Sequence, residues 1–305
     1  MSGDAIAPPA TIALIGLGQI GGAMCRRVTA AGYAVRAYDV SAAAVRAVAA
    51  HGAHGASSPA DAARGAEAVL MSLPDHTVVE RVLFGADGVA EALEPGAVVV
   101  DHSTCAPSAS RAMAERLQAR GTAMLDAPVS GGVARAERGT LAILVGGAAD
   151  ALERCRPLLE RLGETVLHIG DSGKGEAAKV LNNLVSATML TATLEAVAVG
   201  KEAGIDPAVL VRVFNAGTGR SDASERKLPN HVLPRTFDSG FSLALMDKDL
   251  GLAAGLAAEV GVPLRVTRAA VELFEIAAAE LPDADHTEVA RLLERRAGID
   301  GGGGA

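Results

Sequence analysis

Lys179 and Asn183 close the stretch Gly170-Asp-Ser-Gly-Lys-Gly-Glu-Ala-Ala-Lys-Val-Leu-Asn-Asn183, at positions i and i+4. A helix here sets an ammonium and a carboxamide one turn apart on one face. Held side by side on a rigid element, the two groups can grip a carboxylate or a carbonyl oxygen while a proton moves. A lone lysine on a helix is more often a solvated charge whose stem covers apolar neighbours, and this stretch alone leaves both readings standing. Gly170, Gly173 and Gly175 at its start permit a tight turn and a close approach to neighbouring backbone.

Such a pair needs elements that hold it against a reactant. Thr11-Ile-Ala-Leu-Ile15 is an unbroken apolar run suited to a buried strand. It leads into Gly16-Leu17-Gly18-Gln19-Ile20-Gly21 and a helical pattern to about Ala31. Strand, G-x-G-x-x-G and helix is the order for dinucleotide binding. The first glycine permits the turn, the second lets backbone approach a pyrophosphate, the third packs helix on strand, and the phosphates sit at a helix N-terminus. In a chain with 35 glycines the motif is weak by itself, and its place between strand and helix strengthens it. A second strand, 34–39, ends in Asp39, 23 residues after Gly16, where such folds set a carboxylate on the adenosine ribose 2′-hydroxyl. A carboxylate there repels the extra phosphate of NADP and no arginine immediately follows, so NAD is expected over NADP. Asp39 can also cap the helix starting near Ser41.

Strand patterns at 68–72, 97–101, 122–126, 140–145 and 165–169 alternate with helical patterns at 77–84, 107–120 and 149–162. That alternation predicts an α/β, Rossmann-like, doubly wound and mostly parallel sheet, with ligands beyond the carboxyl ends of its strands. Leu73-Pro74, Ser103-Thr104 and Ser130-Gly131-Gly132 gather at those ends. After Gly175 the strand signals stop. A long interdomain helix over about 174–203, roughly 45 Å if unbroken, opens an all-α C-terminal domain with further helices near 207–216, 242–260, 264–280 and 286–297. The expected organisation is a disordered leader at 1–10, a dinucleotide-binding domain at 11–172, a helical domain at 173–300 and a disordered tail at 301–305.

The net charge of −8 and the absence of a basic run argue against a nucleic-acid surface. Cys25, Cys105 and Cys155 are scattered and odd in number, which fits a reducing compartment and gives neither a disulfide framework nor a zinc spacing. The start carries an acid and two prolines and no basic residue, unlike a signal or transit peptide. The apolar stretch 180–200 contains Asn182, Asn183 and Glu195, so a buried helix is expected and not a membrane span. A cytoplasmic globular protein is the reading, with no metal centre.

Four blocks in order carry a resemblance: Gly16 to Gly21, Asp126-Ala-Pro-Val-Ser-Gly-Gly132 with Gly139-Thr-Leu141 after it, Gly170 to Asn183, and Lys248-Asp-Leu-Gly-Leu-Ala253. Together they make the chain similar to the β-hydroxyacid dehydrogenases, the family of 3-hydroxyisobutyrate dehydrogenase and tartronate semialdehyde reductase, with 6-phosphogluconate dehydrogenase more distant. The resemblance implies an NAD-dependent oxidoreductase acting on a short 3-hydroxy acid or a small semialdehyde, with Lys179 as general acid/base and Asn183 holding substrate. It implies that Ser130, Gly131 and Gly132 bind the substrate's acid end, that Leu73, Pro74 and Thr104 contact the dinucleotide, and that Lys248 lies near the nicotinamide. It also implies a homodimer or homotetramer formed through the helical domain. Ile20 replaces the family's usual methionine, and Asn215-Ala-Gly-Thr-Gly-Arg-Ser221 with the charged loop after it departs from the 3-hydroxyisobutyrate branch. Two rival readings stand beside it: an imine reductase-like enzyme, which generally lacks the lysine, and an NAD-binding sensor without activity.

Other residues invite chemistry less strongly. His51 and His54 sit beside glycines in an expected loop and read as solvated. His102 reads as a cleft-wall residue approaching the cofactor, Cys105 has no basic neighbour to activate it, and Asp249 reads as orienting Lys248. Arg220 can grip a substrate carboxylate or stand solvated in its charged loop.

Overall fold

The computed structural model describes residues 4–298; the expected tail at 301–305 and the first three residues of the expected leader lie outside them. The chain forms two compact units, one ending at Lys179 and the other beginning at Val180.

The first unit runs β1 (Thr11–Ile15), α1 (Gln19–Ala30), β2 (Ala34–Tyr38), α2 (Ala42–Ala49), β3 (His54–Gly55), α3 (Pro59–Ala63), β4 (Ala68–Met71), α4 (His76–Phe84), α5 (Val89–Ala92), β5 (Val98–Asp101) and α6 (Pro107–Gln118). It continues through β6 (Ala123–Asp126), β7 (Val129–Ser130), α7 (Gly132–Arg138), β8 (Leu141–Gly146), α8 (Ala149–Leu159) and β9 (Gly163–Gly170). The strands form one sheet in the order β3-β2-β1-β4-β5-β6-β8-β7, with β9 also paired to β8. Pairing is parallel from β3 to β6, whereas β8 runs antiparallel to β6 and β7 and parallel to β9.

The apolar runs are buried on both faces, as a strand covered by helices on either side requires. Ile12, Leu14, Leu70 and Val100 belong to one core cluster, and their alternate neighbours Ala13, Ile15, Met71 and Val99 to another. Residues 4–10 are not the disordered leader expected. Ile6 is fully buried in the first of these clusters, its N–H donates to the Arg154 carbonyl at 2.8 Å, and its own carbonyl accepts from the Tyr33 hydroxyl at 3.2 Å. One apolar side chain among prolines and alanines was too short a pattern to signal a docked segment. His54 likewise lies in the edge strand β3, paired with Arg36, and not in a loop.

The second unit holds most of α9 (Lys174–Glu202), then α10 (Pro207–Ala216), a π-helical segment Ala223–Val232, α11 (Leu243–Glu259), α12 (Thr267–Glu280), a 3₁₀ turn His286–Glu288 and α13 (Val289–Ala297). By length and composition alone α9 could cross a membrane. Its residues Val180, Leu184, Ala187, Leu190 and Leu194, however, form the core of this unit with Leu228, Leu250 and Phe274. Asp206 caps α10 through Ala208 N–H at 2.7 Å, with Pro207 at the first helical position. The segment expected as a charged loop is instead the π-helix, anchored by buried Ala223, Ser224, Leu228 and Val232 beneath its charged outer residues.

Candidate active site

The glycine-rich turn leaves β1 where Gly16 adopts φ +89°, and a Cβ at Gly16 would overlap the Ser72 carbonyl. Gly21 packs as tightly, against the Gly16 carbonyl. Gly18 differs: a Cβ there would meet nothing within 4 Å, and no side chain caps α1 at this residue. Open space before uncapped amides at the positive end of a helix dipole is what a pyrophosphate requires, so these residues fit a dinucleotide. Leu17 is buried, Gln19 exposed and Ile20 packed on the core.

Asp39 lies at the end of β2, where one carboxylate oxygen accepts the Leu17 N–H and the other the Ser41 N–H, both at 2.7 Å. The cap of α2 itself is Ser41, through Ala44 N–H at 3.3 Å. Asp39 therefore ties the glycine turn to the entry of α2. Leu73 donates its N–H to Ser103 Oγ at 2.9 Å, which joins the loop after β4 to the loop carrying Thr104; Pro74 is exposed.

The first turn of α9 is fastened to the sheet by Asp126 at the end of β6. Its Oδ1 accepts the Gly173 N–H at 2.7 Å and its Oδ2 the Glu176 N–H at 3.0 Å, supplying acceptors for amides that begin a helix without intrahelical partners. Gly175 makes the approach possible, since a Cβ there would lie 2.6 Å from the Asp126 carbonyl. This anchorage holds the first turn of α9 within the first unit. One turn on, Lys179 and Asn183 are each only 7% exposed. In the second unit Asn183 donates from Nδ2 to Asp249 Oδ2 at 2.7 Å, and Lys248 Nζ lies 3.4 Å from Asp249 Oδ1. Asp249 thus orients both Asn183 and Lys248.

Ser130 ends β7, half-buried, and exposed Gly131 and Gly132 follow at φ +134° and +69°. They open α7 with no side chain capping it, and successive backbone N–H groups in such a turn are the kind that meet an anion.

Beneath α9 the ligand atoms of Asp101, Cys105 and Glu176 lie within 4.8 Å of one another, all buried. Burial raises the Asp101 pKa to about 6, against the lowering effect of hydrogen bonds from Ser103. His102 is not a cleft wall. It is 4% exposed, its Nδ1–H donates to the Ala127 carbonyl at 2.7 Å, and burial pushes its pKa down to about 4. Arg220 stands exposed with Glu225 at 3.4 Å, the solvated alternative. Asp126 and Lys227 lie in segments the sequence singles out, but no role of their own was legible for either. The first was hidden because its acceptors meet amides 47 and 50 residues away, the second because it sits in an unforeseen helix.

Residues 11–170 match the family described as the NAD binding domain of 6-phosphogluconate dehydrogenase, and residues 173–293 the one described as NAD-binding of NADP-dependent 3-hydroxyisobutyrate dehydrogenase. The chain is 36% identical to 2-(hydroxymethyl)glutarate dehydrogenase of Eubacterium barkeri, over 96% of this chain and 98% of the relative. It is 38% identical to 3-hydroxyisobutyrate dehydrogenase of Pseudomonas aeruginosa, over 90% and 94%. Among solved structures, the Mycobacterium tuberculosis 3-hydroxyisobutyrate dehydrogenase with L-serine superposes at a TM-score of 0.88, with 35% identity over 93% of this chain and 99% of that one.

Proposed function

The chain belongs to the β-hydroxyacid dehydrogenase family, and on that premise we propose that it interconverts a short 3-hydroxy acid and its semialdehyde, using NAD, with Lys179 as general acid/base. The observation that carries this reading is a lysine 7% exposed on a helix whose first turn is clasped by Asp126.

The nicotinamide, when bound, supplies the hydride acceptor. Everything else falls to the chain. Lys179 takes the hydroxyl proton during oxidation and returns it to the carbonyl oxygen during reduction. Its low exposure suits a residue that must alternate between amine and ammonium. Asn183 has one amide hydrogen committed to Asp249, which fixes the orientation of its carboxamide, and its second N–H donates to the substrate oxygen without adding charge. Ser130 and the N–H groups of Gly131 and Gly132 receive the carboxylate. Gly16 to Gly21, with Leu73, Pro74, Thr104 and Lys248, hold the dinucleotide, and Asp39 disfavours a 2′-phosphate.

Lys179→Ala tests the base role directly. Turnover should fall by at least about a thousandfold, within the range of general acid–base contributions, while NADH affinity, read by fluorescence titration, persists. Unchanged turnover removes the base from Lys179.

Exposed Leu181, Val185, Met189 and Val199 on α9, with Val209 and Val213 on α10, support a homodimer or homotetramer through the helical unit, to be checked by sedimentation. The three cysteines are free thiols, in keeping with a reducing cytoplasm.

A further inference from the structure

We propose that Lys227 is a second anion-binding group of the substrate site, so that the preferred substrate is a 3-hydroxy acid bearing an additional carboxylate or comparable anion. The inference rests on Asn183 binding substrate, as proposed above.

Lys227 lies in the π-helical segment and donates from Nζ to Ser186 Oγ on α9 at 2.8 Å. Ser186 comes three residues after Asn183 and seven after Lys179. At 100° per residue, the positions 179, 183 and 186 fall within about 60° of one another around the helix. The ammonium is thus delivered to the same stripe of α9 that carries the two proposed site residues. Ser186 lies ~4.5 Å further along the axis than Asn183, the span of a few carbon–carbon bonds. A substrate oxygen at Asn183 and a distal anion at Lys227 are compatible with one small molecule lying along the helix.

The charge balance points the same way. The side chain of Lys227 is 12% exposed, and its ion-pair partner among the described residues is Asp222, at 3.8 Å. That carboxylate is shared: Asp222 Oδ1 accepts from Arg226 Nε at 2.5 Å. Asp285, the other acid acting on Lys227, spends its oxygens on Ser239, Gly240, Phe241 and Thr287. An ammonium has three N–H donors, and here Ser186 takes one at 2.8 Å while the Asp222 carboxylate stands at 3.8 Å. Burial lowers the Lys227 pKa, only partly opposed by Asp222. A nearly buried cation with so loose a counter-charge is costly unless something else compensates it, and a substrate anion would. π-Helical segments are rare and concentrate at functional sites. Arg220, the cation in the neighbouring loop, is turned to solvent instead.

The test compares 3-hydroxypropionate with 2-(hydroxymethyl)succinate, which carries the same reacting group plus a second carboxylate. The wild type should favour the dianion in kcat/KM by about tenfold or more, the scale of one charge-assisted hydrogen bond. Lys227→Met should collapse that ratio to within about twofold of unity. Should that variant not fold, Lys227→Gln, which retains a donor for Ser186, must do the same. Absence of a dianion preference in the wild type overturns the proposal without any variant. A ratio unmoved by the substitution overturns it too, and leaves Lys227 as a pin between the π-helix and α9. Failure of the base reading is distinct, since it appears as retained turnover in Lys179→Ala. If neither acid is oxidised, calorimetric titration of both into the NADH-loaded protein decides, and equal affinities refute the proposal.

Discussion

Asp126→Asn perturbs the contact that sets Lys179 in place while changing almost no volume. In the folded protein both carboxylate oxygens accept backbone N–H groups, from Gly173 at 2.7 Å and Glu176 at 3.0 Å, and the side chain is 1% exposed. Asparagine keeps one acceptor and turns the other into an NH₂ facing an N–H. Losing a hydrogen bond to a buried charged group costs roughly 1.5–3 kcal/mol. Part of this returns, because burial raises the Asp126 pKa against the lowering effect of those same amides. A net loss of about 1–3 kcal/mol corresponds to a melting point lower by roughly 2–10 °C in a unit of this size. The kinetic effect should be larger than the thermal one suggests. A displacement approaching 1 Å at a reacting group can cost ~100-fold, so kcat should fall by roughly 10- to 100-fold while KM for NAD moves by less than about threefold. The decisive measurement is the double variant. If Asp126 works by positioning Lys179, Asp126→Asn should cost nothing further in a Lys179→Ala background. An equal loss in both backgrounds would refute the positioning role. Gly146→Ala is a milder probe, since its Cβ would press on the Asp126 carboxylate at 2.6 Å, and it should reproduce the same split between kcat and KM.

Asp39→Ala should raise NADP usage relative to NAD by about tenfold and, because it also unties Leu17 and Ser41, lower the melting point; an unaltered cofactor ratio in steady-state assays removes the ribose assignment. Stability should depend on pH through two opposed sets of buried groups. His102 and His286 have pKa values lowered by burial to about 4, so their contribution is complete above about pH 6.5 and is lost as pH falls through 4. For His102 this amounts to roughly 3 kcal/mol. Asp101, raised by burial to about 6, acts in the other direction, favouring the fold as pH drops from 6 toward 4 by a similar amount. Asp126, also raised by burial, acts in the same direction as Asp101, so the two sets partly cancel in the wild type and removing one member exposes the rest. His102→Gln should therefore make the melting point less sensitive to acid than the wild type's between pH 6.5 and 4, and calorimetry showing the same pH dependence for both proteins would contradict the assigned burial.

What the sequence disclosed follows from the range of the interactions involved. β1, the glycine turn, α1 and the acid at the end of β2 were legible because each is specified within a few residues: an apolar run, a spacing that only glycine satisfies, a carboxylate at a strand end. The long helix and the Lys179–Asn183 spacing were legible for the same reason. Elements of two to seven residues, such as β3, β7, α3 and α7, carry too few side chains for a period to show, and they are held by pairing partners distant in sequence. Asp126 displayed a strand ending in an acid, but its work is done on amides of Gly173 and Glu176, and no local pattern encodes that meeting. The π-helix was the deeper miss. Its run Ser221-Asp-Ala-Ser-Glu-Arg-Lys-Leu-Pro229 reads as solvated charge with a helix-breaking proline, and only the burial of Ser224, Leu228 and Val232 against the second core turns Lys227 inward toward α9. Where a departure from the family's pattern coincided with an unreadable local structure, the sequence hid both the element and Lys227, the residue it turns toward α9.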